Sequence, residues 1–133
     1  MTTELWMLIY SALLAMLVPT IYLSGRAQVP EGFRWALGNR DTTLDGAAPW
    51  VGRAIRAHTN LVENLPVFAI LVLTANAIGL SNDTTALGAA LFFYGRLAHV
   101  ITYLVGLVPW RTLAFFVATA GELMILFEIF SAA

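Results

Sequence analysis

From Leu5 to Leu23 the chain carries no charged residue and is broken only by Ser11, Pro19 and Thr20. A helix needs about 20 predominantly apolar residues to cross a bilayer, so this run constrains the fold before anything else does. A secretory signal peptide would carry a basic residue ahead of the run and a small-residue cleavage site behind it. No basic residue precedes Leu5, and Ser24-Gly25-Arg26 is a poor cleavage site. Composition extends the inference to the whole chain. Its 133 residues are 59% hydrophobic and 11% charged, whereas soluble domains average about 25% charged. The expectation is an all-α integral membrane four-helix bundle in one domain, with spans at about 5–23, 61–80, 85–108 and 112–130.

The connections follow from the punctuation. Pro30, Gly32, Gly38, Asn39, Asp41, Asp45, Gly46 and Pro49 mark one long polar loop from Ser24 to about Trp50. Pro49 suits the first turn of a helix, where its missing N–H is not needed. The second helix therefore begins near it and projects beyond the membrane before entering. Ser81-Asn82-Asp83 and Pro109-Trp110-Arg111 are the two tight connections, which make neighbouring helices antiparallel. Arg26, Arg34, Arg40, Arg53 and Arg56 lie in or beside the first loop and Arg111 in the third. By the positive-inside rule these two loops face the cytoplasm. The tight loops point to a bacterial inner membrane, with an endomembrane as the alternative.

Several functions are excluded by what is missing. A net charge of -1 without a basic tract disfavours nucleic acid as a partner. With no Cys the chain has no disulfide and no thiolate of its own, so thiol chemistry requires a thiol brought by a ligand. Two His residues without Cys form no recognisable metal-ligand spacing. His58 is expected at the membrane interface, as are Trp6, Trp50, Trp110, Tyr10 and Tyr22.

The charges inside the spans carry the functional signal. Glu63, Arg96 and Glu122 each cost roughly 2.5 to 3.5 kcal/mol to insert. One explanation is an interhelical ion pair of Arg96 with Glu63 or Glu122. Spacing suggests more. Arg53, Arg56, Asn60 and Glu63 form one stripe at helical periodicity, and Arg96, His99 and Tyr103 form a second. Two such stripes exceed the needs of one ion pair and predict a cavity for an anionic polar ligand. Arginine's planar fork suits a carboxylate. Glu122 is expected in packing or at a subunit contact.

The run Arg53-Ala-Ile-Arg56-Ala-His58-Thr-Asn60-Leu-Val-Glu63-Asn64-Leu-Pro66-Val-Phe68 resembles the second-helix signature of the MAPEG family, the membrane-associated proteins in eicosanoid and glutathione metabolism. Gly95-Arg96-Leu-Ala-His99-Val-Ile-Thr-Tyr103 is similar to its third-helix pattern, followed by a short loop and Arg111. The resemblance covers essentially the whole chain. It implies a homotrimer with glutathione, the thiol co-substrate, held between subunits near the cytoplasmic side. Arg56, Asn60, Glu63, Arg96, His99 and Tyr103 would contact glutathione, with Arg53 and Arg26 as further contacts. Arg111 would stabilise its thiolate, with Thr112 as a neighbouring catalytic hydroxyl. The activity implied is that of a transferase or peroxidase acting on a lipophilic substrate drawn from the membrane lipid. The chain departs from some active members at Phe115, where a Tyr would hydrogen-bond the sulfur, and Asp41 matches the family's acidic loop residue only loosely. A non-catalytic structural, lipid-binding or anion-binding protein of the same fold is the alternative.

Overall fold

A computed structural model describes residues 1–132. Its elements are α1 (Thr3–Ala27), α2 (Gly32–Leu37), α3 (Pro49–Ala77), α4 (Asp83–Val105) and α5 (Val108–Ala132). The four long helices are each long and apolar enough to cross a membrane. Their boundaries have local causes. The Thr2 hydroxyl accepts from Leu5 N–H to start α1. Pro49 opens α3 at its first turn, as its fixed φ allows. Asn82 and Thr85 form a reciprocal capping box on α4, each backbone N–H received by the other's side chain at 2.9 Å. Gly106 ends α4 in the left-handed region at φ 89°, where a side chain would be strained.

Two expectations need correction. The long loop is not wholly irregular: α1 runs on through Ala27, and α2 forms inside the loop. Its six residues make it too short to register as a periodic pattern. Pro109-Trp110-Arg111 is not a connection but the first turn of α5, which starts at Val108. Proline is tolerated there because the first helical N–H groups have no intrahelical partner. The turn between α4 and α5 is reduced to Gly106 and Leu107.

The tightest seam in the bundle lies between α4 and α5, and small residues make it possible. A Cβ placed on Gly121 would fall onto the Gly88 carbonyl, and one on Gly95 would lie 2.8 Å from the Ala118 nitrogen. Backbones this close pack by direct van der Waals contact, the usual basis of helix association in lipid. One core cluster gathers Phe68, Val72, Ala89, Phe92, Ala118 and Ile125, with Phe68 and Phe92 stacked at 3.9 Å. A second joins Val18, Ala57, Leu61 and Val100. Met16, Ile70, Phe116, Phe127 and Phe130 point outward. That exposure would be a liability in water and is the normal state of a helix facing lipid.

The aromatic and His58 expectations divide. Trp6 and Trp110 are exposed. Trp50 instead packs over Gly25 of α1, where a Cβ would collide with its ring. His58 is no free interfacial group, because its ring bridges α3 to α1 through the Ala15 carbonyl at 3.1 Å and the Tyr22 hydroxyl at 3.4 Å.

Candidate functional site

The C-terminal end of α1, the start of α3, the end of α4 and the start of α5 meet at one end of the bundle. Here the two polar stripes converge. The Arg53 Nε donates to the Leu104 carbonyl at 3.0 Å, which ties α3 to the last turn of α4. The Tyr103 ring is flanked by two guanidinium groups, Arg111 at 4.6 Å and Arg56 at 5.9 Å from its centroid. Each is within reach of a cation–π attraction. The His99 ring stands edge-on to Tyr103 at 5.4 Å, and its Nδ1 meets the Arg111 backbone carbonyl at 2.9 Å. A carbonyl can only accept, so Nδ1 carries the proton in this contact.

Burial sorts the residues of the stripes. Arg56 is exposed, and Arg53, Asn60, Tyr103 and Arg111 are partly exposed. Arg96 is fully buried: its guanidinium lies between the rings of Phe92 and Phe115, at 5.2 and 5.0 Å, and its Nη1 donates to Asn60 Oδ1 at 2.8 Å. The ion pair of Arg96 with Glu63 or Glu122 is not formed, since among the described residues the one salt bridge is Glu31–Arg34. Among the described residues Arg53, Arg56 and Arg111 therefore have no carboxylate within pairing distance.

A cavity of about 540 Å³ opens beside Arg56, between α3 and the first loop, with Arg26, Trp35 and Ile55 in its wall. Arg26 is held against the rings of Tyr22 and Trp35 at 5.2 and 5.0 Å. Such a space suits a peptide-sized anion, because guanidinium groups at its rim can donate to carboxylates while aromatic faces cover the stem.

Other sequence candidates fall outside this convergence. Glu63 is exposed on α3 with no hydrogen bond or ion pair within the chain among the described residues. The Thr112 hydroxyl turns back on its own helix, donating to Val108 O at 3.3 Å. Asp41 is exposed in the segment before α3 and pairs with none of these arginines. Glu122 is buried inside the chain at 7% exposure, a packing position rather than a surface one.

Sequence reasoning missed Glu4. It is 3% exposed and accepts from the hydroxyls of Ser81 and Thr85, at the opposite end of the bundle. Its partners lie far along the chain, so no local spacing advertises it.

No curated protein matches the chain in sequence. The sequence model of the MAPEG family matches residues 4–131, from the first turn of α1 to the last turn of α5. With both polar stripes inside that match, this all-helical chain belongs to the MAPEG family.

Proposed function

We propose that the chain is a glutathione-dependent membrane transferase or peroxidase acting on lipophilic electrophiles or lipid hydroperoxides. The observation that carries this reading is the cluster of arginines around the last turn of α4. Arg53, Arg56 and Arg111 crowd one end of the bundle without a pairing carboxylate among the described residues. Unpaired guanidinium groups so close repel one another, and an anion with more than one carboxylate relieves that repulsion. Glutathione has two carboxylates and supplies the thiol that the chain lacks.

In this reading Arg56 and Asn60 hold the ligand, while Arg111 faces the sulfur. A free thiol has a pKa of about 8.5, and an adjacent guanidinium favours the thiolate, which is the nucleophile. In conjugation the sulfur bonds to the electrophilic carbon and the leaving group departs with its electron pair. In peroxide reduction a second glutathione is consumed, giving an alcohol, water and the disulfide. Arg111 needs no proton transfer in either case, because its contribution is electrostatic.

The exposed Glu63 supports a homotrimer. A charged side chain on the outer face of a membrane helix requires a protein or water partner, and a neighbouring subunit that brings glutathione's ammonium to Glu63 provides one. The arginine bias of the first loop supports placing this end of the bundle in the cytoplasm.

Calorimetric titration of glutathione into the detergent-solubilised protein tests the reading. Saturable binding is expected, weakened in Arg56→Ala and not reproduced by a thiol-free tricarboxylate. A folded protein that binds no glutathione sinks it. A second reading, a non-catalytic anion- or lipid-binding member, has two observations in its favour: Phe115 offers no hydroxyl, and the Thr112 hydroxyl is committed to Val108. Binding without turnover of any peroxide or electrophile would select it.

A further inference from the structure

Glu122 has no place in the mechanism above, yet the bundle buries it. It sits on α5 roughly 16 Å along the axis from Arg111, at about 1.5 Å per residue. Among the described residues, four buried side-chain atoms lack a hydrogen-bond partner: Glu122 Oε1, Arg96 Nε, Arg96 Nη2 and His99 Nε2. All belong to three side chains on the facing helices α4 and α5, and all three are at least nine-tenths buried. Glu122 is also the acid whose field reaches Arg96, although the two make no direct ion pair.

The chemistry of the four atoms is complementary. Arg96 contributes only donors, since a guanidinium has no acceptor. Glu122 Oε1 is an acceptor, and His99 Nε2 is one too when Nδ1–H is given to the Arg111 carbonyl. A buried charge without a partner is costly. Buried polar groups that do not meet directly are joined through ordered water.

The remaining nitrogen of Arg96 shows what this arrangement is for. Nη1 donates to Asn60 Oδ1. Because Arg96 can only donate, the amide atom facing it must be the oxygen, and Asn60 Nδ2 is thereby turned away, free to donate elsewhere. The orientation of Asn60 is thus set by a guanidinium that itself never reaches the surface.

We propose that Glu122 is a positioning residue of the ligand site: bridged to Arg96 by a buried water, it supplies the counter-charge that keeps the guanidinium on Asn60 and so aims the Asn60 amide N–H groups at the anionic ligand. The proposal rests on the glutathione reading and deepens it, giving the buried acid a role in recognition.

The test is a double-mutant cycle on glutathione affinity with Glu122→Gln and Asn60→Ala in the full-length protein. Each single change is expected to weaken binding about tenfold, the size of one charged hydrogen bond. The double variant should bind no more weakly than Asn60→Ala alone, because Glu122 acts only through that amide. Additive losses, or parent-like affinity in Glu122→Gln, overturn the proposal. A general packing role would give additive losses. Glu122→Asp, which keeps the charge, should recover most of the affinity, and Glu122→Leu replaces Glu122→Gln in the cycle if that variant does not fold.

A second arm needs no glutathione. The apolar pair Arg96→Met with Glu122→Leu should be at least as thermally stable in detergent as either single variant, since each single leaves a charge buried alone. Absence of that rescue overturns the counter-charge role. A parent protein that binds no glutathione but shows the rescue would overturn the proposed function and the ligand role of Glu122, leaving the charge pairing intact.

Discussion

The two ends of the bundle handle charge in opposite ways. At the Glu4 end every polar group named is answered from within. Glu4 receives two hydroxyls, Asn82 and Thr85 cap one another, and the Asn82 amide donates to Glu128 at 2.7 Å. At the Arg111 end, Arg53, Arg56 and Arg111 share a tyrosine ring and a backbone carbonyl but, among the described residues, no carboxylate. Internal satisfaction secures the connection between helices. Its absence at the other end leaves guanidinium groups open to an anion, as the proposed function requires.

Substitutions can break or sharpen this contrast. The largest effect is expected for Arg111→Ala: a fall of about 10²–10³ in turnover of a lipophilic electrophile, the scale of losing one charge-stabilising group. The ultraviolet absorbance of bound thiolate should disappear while the assembly elutes unchanged. At the closed end, Glu4→Ala leaves the Ser81 hydroxyl without an acceptor and the Thr85 hydroxyl with the Asn82 carbonyl alone, and should cost about 1–3 kcal/mol of stability. Thermal melts in detergent measure it, and glutathione affinity should not move; a change in affinity would mean the ends are coupled. Arg56→Ala should do the reverse, weakening glutathione roughly tenfold by calorimetry with the melting temperature preserved. Asn82→Ala removes the helix cap of α4 and should cost about 1 kcal/mol. The smallest effect is that of salt. Raising ionic strength should weaken glutathione binding modestly through screening at the exposed Arg56, and leave the melt of the closed end untouched.

Periodicity made one half of this picture readable from the sequence. Arg53, Arg56 and Asn60, like Arg96, His99 and Tyr103, fall on single helix faces, and the structure turns both faces toward each other at one end. The four spans were equally legible, because an apolar run of bilayer length has few alternatives. Spacing says which residues share a face, but not what stands opposite. For that reason spacing gives no sign that Arg96 is buried with one donor on Asn60, or that the His58 ring is bonded to α1. Glu4 escaped for the same reason, its partners being Ser81 and Thr85 on the far side of two helices. Pro109 reads as a breaker in a sequence, whereas in a first helical turn it is neutral, and so α5 starts at Val108 rather than after Arg111.

The glycine seam between α4 and α5 bears on how the protein is made. With Gly106 and Leu107 as their only link, the two helices are a hairpin whose contacts are local in sequence, and local contacts form early. Arg96 presented to lipid on a solitary helix would oppose its own insertion. Arriving as a closed hairpin, it enters with Glu122 beside the same seam and with the rings of Phe92 and Phe115 already over its faces. Close approach of two backbones thus makes closure of the α4–α5 hairpin a step of biosynthesis in which a charge crosses into the membrane in company.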